Sequence, residues 1–199
     1  MDANTTAVRE LAARAAGDSS DPVTRAVSMY YAIRDGWRYD PWNVAEEPEG
    51  YKASAIALRD HGHCLDKALL LGACARAQGI GARLHFANVR NHIGTAALEK
   101  KLGTDLLVFH GYVELHLEGR WVAATPAFNR ELCERLNVDP LEFDGRHDSI
   151  FQQYDRAGGA FMQYVHDYGV FHTLPYDMMR AEWARHYPAV SERGWPQRG

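Results

Sequence analysis

Cys64 stands where a thiol can become a nucleophile. It follows a polar, glycine-containing approach, His61-Gly62-His63, and opens the run Leu65-Asp66-Lys67-Ala68-Leu69-Leu70-Leu71-Gly72-Ala73-Cys74-Ala75-Arg76-Ala77-Gln78. A thiol attacks as its thiolate, whose reference pKa is about 8.5, and both a helix N-terminus and an adjacent imidazolium favour that form. Cys64 has the first feature by position. His110, in the alternating stretch from Leu106 to Leu117, is the candidate for the second. An imidazole that takes a thiol proton needs a hydrogen-bonding group to fix its tautomer, and Thr125 is the candidate orienter. The chemistry open to such a set is acyl transfer. Cys64 attacks an amide carbonyl to form a thioester, and His110 accepts the thiol proton and returns one to the leaving amine.

The elements that must position these groups are legible from periodicity. The run after Cys64 is apolar nearly all round, which describes a central, buried helix. Gly79 suits the left-handed position that ends it, with Ile80 as the hydrophobic partner of that cap. From Ala82 to Val89 and from Leu106 to Leu117 the period is two, which predicts strands. In the second, Val108, His110, Tyr112, Glu114 and His116 share one face, while Leu107, Phe109, Val113, Leu115 and Leu117 share the other. Glu118-Gly119 reads as a two-residue hairpin turn into Arg120-Trp121-Val122-Ala123-Ala124-Thr125. That register sets Tyr112 opposite Thr125 and His110 opposite Ala127, so Thr125 and Asn129 lie diagonal to His110 on its own face. Upstream, residues 4–16 are helical by propensity. Asp21-Pro22 offers an N-cap and a proline at the first helical position for a helix over about 22–35, stopped by Gly36. Residues 36–53 read as a loop walling a cleft. Residues 130–199 read as helical patches and turns covering one edge of it. The aromatic residues Trp37, Tyr39, Trp42 and Tyr51, and later Phe161, Tyr164, Tyr168, Phe171 and Tyr176, divide between core and cleft wall.

Each candidate has a plainer competitor. A cysteine at a helix start is often a buried structural thiol, and Cys74 and Cys133 read as such core fillers. His61, His63 and Cys64 are ligand types crowded together, but zinc wants converging ligands backed by a second pair, and none is evident. No metal and no cofactor is therefore expected. His147-Asp148 and His166-Asp167 are assigned to surface or cleft rim. Composition narrows the class further: 199 residues with 46% apolar content can bury a core as a single domain spanning residues 1–199, without disulfide or metal staples. The net charge of −4, with no basic run, is the wrong footprint for nucleic acid. Three cysteines do not make a disulfide framework and fit a reducing compartment. The longest apolar run, Ala68 to Ala75, is too short to span a bilayer, and the N-terminus lacks a signal-peptide pattern, so a cytoplasmic protein with no membrane partner is expected.

Several motifs together resemble the transglutaminase-like superfamily of papain-like thiol enzymes, especially its bacterial cysteine-protease-type members. They are Tyr39-Asp40-Pro41; Lys52-Ala53-Ser54 with Gly62-His63-Cys64-Leu65-Asp66-Lys67-Ala68; Arg76-Ala77-Gln78-Gly79-Ile80-Gly81-Ala82-Arg83; and His110-Gly111-Tyr112-Val113-Glu114-Leu115 with Gly119-Arg120-Trp121-Val122. The resemblance covers roughly residues 37–129. It implies an α+β, papain-like fold in which a Cys-bearing helix packs on an antiparallel sheet, with a catalytic Cys at Cys64 and a catalytic His at His110. The family's third residue is an Asp before a proline, where this chain has Ala124-Thr125-Pro126. Thr125 keeps the family position without the charge, and Asn129, Asp105 or Glu114 are the alternatives. The backbone N–H of Cys64, free at a helix start, is one oxyanion donor. The expected function is a cysteine protease or amidase acting on a peptide or protein amide. A transglutaminase using an amine acceptor and a noncatalytic peptide-binding module with a decayed triad are the alternatives.

Overall fold

The architecture was read from a computed structural model, which describes residues 1–92, 96–151, 155–188, 190 and 194–195. Helices α1 (Thr6–Ala16) and α2 (Pro22–Gly36) are followed by a short strand β1 (Arg38–Tyr39), a 3₁₀ turn (Pro48–Tyr51), α3 (Ala53–Ile56) and β2 (His61–Gly62). Then come α4 (Cys64–Ala77), β3 (Ala82–Asn91), α5 (Ala96–Leu102), β4 (Leu106–Leu117), β5 (Arg120–Ala124), α6 (Arg130–Leu136), β6 (Met162–Phe171) and α7 (Tyr176–His186). The fold is α+β, as the sequence led us to expect. A four-stranded antiparallel sheet runs in the order β5-β4-β3-β6, and α4 lies between it and the layer of α1, α2 and α3.

Local chemistry explains why α4 sits there. All residues from Leu65 to Ala75 are buried, so this helix has no solvent face. Its C-terminus closes with the Ile80 N–H on the Ala75 carbonyl and the Gly79 N–H on that of Arg76, while Gly79 takes φ +75°, the paired bonds of a left-handed glycine cap. Helix α2 begins as the sequence requires, with Asp21 Oδ2 accepting from the Thr24 N–H at 2.9 Å and proline at the first position. The hairpin register is as expected where the strands pair, with Val113 facing Ala124 and Leu117 facing Arg120 across a turn in which Glu118 and Gly119 both have positive φ; β5 ends at Ala124, so the expected Tyr112–Thr125 and His110–Ala127 pairs are not part of the ladder.

Three expectations need correction. Residues 36–53 are not simply a loop, because Arg38–Tyr39 pair in parallel with His61–Gly62 and the 3₁₀ turn packs Tyr51 inward. The C-terminal part is more than helical patches. Met162–Phe171 is a sheet strand beside β3, undetected because its largely exposed pattern mixes both faces and turns at Gly169. The simple alternation in β4 fails at Phe109, which has φ +62°. There β4 carries one extra residue against β3, so Ala87 faces His110 while Val89 faces Leu107.

Among the described residues, no helix is long and apolar enough to cross a membrane. No group of three His, Cys, Asp or Glu side chains among them is placed to hold a metal ion.

Candidate active site

Cys64 is the first residue of α4 and His63 is its N-cap. The cap is reciprocal: His63 Nδ1 accepts from the Leu65 N–H at 3.2 Å, and Asp66 Oδ2 accepts from the His63 N–H at 3.1 Å. A ring nitrogen accepts only when unprotonated, and burial pushes the His63 imidazole down, towards that neutral form. His63 therefore shapes the helix start and is not an imidazolium beside the thiol. His61 is directed elsewhere, its Nδ1 2.7 Å from Asp60 and its Nε2 against Asn43.

Gly111 lets the helix start approach the sheet. A Cβ there would lie 2.7 Å from Leu65 Cδ2, 3.3 Å from Phe86 Cε1 and 3.4 Å from Leu65 Cα. Gly111→Ala is therefore expected to cost about 1–3 kcal/mol by overpacking and to move Cys64 off the strand that carries His110. Thermal unfolding together with the Cys64 alkylation rate checks it, and a variant unchanged in both would show that the contact relaxes freely.

Cys64 and His110 line one cavity, together with Tyr39, Leu107, Trp183 and Tyr187. Its volume of about 50 Å³ admits a few waters, each needing roughly 10–15 Å³ on this measure. His110 is buried, with its ring centroid 4.5 Å from that of Phe151 and 6.3 Å from that of Tyr164. Among the described residues neither ring nitrogen has a hydrogen-bond partner, and the same holds for Thr125 Oγ1, which is also buried. His110 thus lines the cavity beside Cys64, whereas Thr125 is buried outside that lining, and no hydrogen bond joins the three residues. The other candidate orienters are engaged elsewhere. Asn129 Oδ1 accepts from the Tyr39 N–H at 3.1 Å, Glu114 holds Arg83 and His85 at 2.6 Å each, and Asp105 lies 3.7 Å from Arg90.

Burial sets the electrostatics. It pushes the Cys64 thiol up to about 11, although the main-chain N–H groups of Gly111 and Leu65 act in the opposite sense. It holds the His110 imidazole down to about 3. Both shifts favour the neutral forms, so the acid-shifted thiolate expected from helix position is not the resting state of this closed arrangement. The sign is checkable. A thiol raised above the ordinary value ionises only at higher pH, so the thiolate absorbance difference between wild type and Cys64→Ser is expected to show no step below about pH 9. A step below pH 7 would instead demonstrate a preformed thiolate and imidazolium pair.

Lys67 is a part of the site that sequence reasoning passed over. Its ammonium, fully buried, donates to the carbonyls of Arg34 (2.7 Å), Trp37 (2.8 Å) and Ala127 (2.8 Å). It thereby ties α2 and the chain after β5, where Thr125 lies, to the Cys64 helix. Desolvation pushes it down to about 7. Cys74 and Cys133 are buried, as core fillers should be. Of the His-Asp neighbours, His147 pairs with Asp144 on the surface, Asp148 accepts from the Ala123 N–H, and Asp167 accepts from His85.

Residues 9–126 match the family model of the transglutaminase-like superfamily, and the chain belongs to that superfamily. Among solved structures it aligns with a candidate cysteine protease from Cytophaga hutchinsonii at 17% identity and TM-score 0.46, over 82% of this chain and 48% of that one. It also aligns with a candidate protease from Parabacteroides distasonis at 19% identity and TM-score 0.41, over 59% of this chain and 22% of that one. The chain thus spans about half the length of the first and less than a quarter of the second. None of the curated proteins compared with it matches.

Proposed function

We propose that this chain is a thiol-dependent acyl-transfer enzyme acting on amide bonds, with hydrolysis as its reaction. The observation that carries this reading is the buried imidazole of His110, which lines the cavity where Cys64 begins its helix and whose Nδ1 and Nε2 have no hydrogen-bond partner among the described residues. Buried polar groups are nearly always hydrogen-bonded, so two ring nitrogens left open beside a thiol ask for a purpose. Substrate entry supplies it. With an amide carbonyl over Cys64, one ring nitrogen of His110 takes the thiol proton as sulfur attacks, and the other donates to Thr125. The Cys64 N–H lies at the helix N-terminus, where it has no intrahelical partner and faces the developing oxyanion. His110 then protonates the leaving amine, and a water, deprotonated by the same ring, releases the acid from the thioester. Because both groups start neutral, the proton moves during attack.

Incubation of the protein with a library of peptide amides, with and without methylamine, tests this reading. Wild type is expected to give new carboxyl termini that Cys64→Ala does not give. N-methylamide products would move the assignment to amine transfer. No product and no Cys64 adduct in either buffer would overturn catalysis and leave a peptide-binding module.

A further inference from the structure

We propose that Asn88 and Tyr187 are positioning residues for His110, holding the backbone bulge that aims its imidazole. The proposal rests on the reading of His110 as the base. Phe109, the residue before it, sits at φ +62° without being glycine, a conformation that bulky side chains adopt only when their surroundings impose it. The bulge sets one residue of β3, Asn88, against two of β4, Val108 and Phe109, so ladder bonds are lost there.

Side chains replace them. Asn88 Oδ1 accepts from the Phe109 N–H at 2.9 Å. The Tyr187 hydroxyl accepts from the Val108 N–H at 2.6 Å and donates to the Leu106 carbonyl at 2.8 Å, while Trp183 Nε1 donates to the Val108 carbonyl at 2.9 Å. The Tyr168 ring packs on that of Phe109 at 4.8 Å between centroids, and its hydroxyl donates to Glu182 on α7 at 2.8 Å. Two routes from the α7 region therefore converge on the peptide link before His110. Among the described residues no hydrogen bond orients the His110 ring, which is held only by packing against aromatic rings such as Phe151, so its direction depends on the backbone at Val108–Phe109.

The probe is iodoacetamide, small and neutral, with Cys64 labelling read by peptide mapping at pH 7 and at pH 10. A base that takes the thiol proton accelerates the reaction at pH 7 and matters less as free thiolate accumulates. Asn88→Leu and Tyr187→Phe remove the hydrogen-bonding atoms while keeping bulk. Each is expected to slow labelling at pH 7 by about 10- to 100-fold, to leave the rate at pH 10 within about 2-fold, and in Asn88→Asp, which keeps the acceptor, to restore the pH 7 rate. A fall of equal size at both pH values would mean general loosening and would overturn the proposal. His110→Leu separates the two levels. If it too leaves the pH 7 rate unchanged, the reading of His110 as the base fails. If it slows the reaction while Asn88→Leu and Tyr187→Phe do not, His110 stands and the positioning role falls. Should Asn88→Leu not fold, Tyr187→Phe alone decides.

Discussion

A chain in which His110 is replaced by leucine is expected to be more stable than wild type and almost inert. Burying an imidazole whose two nitrogens find no partner has a desolvation cost, and an apolar side chain of similar volume against Phe151 removes it. The gain should be about 1–2 kcal/mol. The same change deletes the proposed proton acceptor for the thiol, and turnover of any peptide amide cleaved by wild type should fall by roughly 10⁴-fold or more. Thr125→Val should behave alike on a smaller scale, gaining about 1 kcal/mol by removing the unpaired Oγ1 and losing about 10²-fold in rate through a misoriented imidazole. Calorimetry and turnover on the same samples read both effects. A destabilised His110→Leu protein would mean that the ring has a structural partner, and the functional explanation of its isolation would then be withdrawn.

Lys67→Met is expected to do the reverse. Here the buried polar group is fully satisfied, and its removal strands three buried carbonyls, those of Arg34, Trp37 and Ala127. Methionine fills most of the volume, so the loss is mainly polar. About 3–5 kcal/mol is expected, which for a chain of this size lowers the thermal midpoint by roughly 10 °C. Activity should fall in the fraction that stays folded, because Ala127 anchors the segment after Thr125. A change below about 1 kcal/mol would show that the carbonyls find other donors. His110 and Lys67 thus make opposite use of burial: one is kept unpaired and the other is paired at every proton.

Much of the site was legible in the sequence because its signals are local. Gly62 and His63 before an apolar run mark a helix start, Gly79-Ile80 marks its end, and Glu118-Gly119 fixes the hairpin register from Leu117–Arg120 to Val113–Ala124, just short of His110 and Thr125. What was not legible depends on distant residues. Nothing in Val108-Phe109-His110 announces a left-handed phenylalanine, since the bulge exists only because Asn88 and Tyr187 meet it from other elements. β6 lacks a buried face clear enough to show a period of two. Lys67 looked like the polar edge of an apolar run, and only the crossing of α2 and the chain after β5 turns it into an interior cation.

The attachment of α7 to the bulge also bears on how the protein matures. The thiol helix and the strands beside it precede Tyr187 by many tens of residues in the chain, and contacts so distant in sequence form late, after the loops between them have closed. During synthesis the family core can therefore collapse while the histidine is still unaimed and the cavity beside Cys64 still lacks the wall that Trp183 and Tyr187 supply. The proposed site would then be completed only when the closing helix docks.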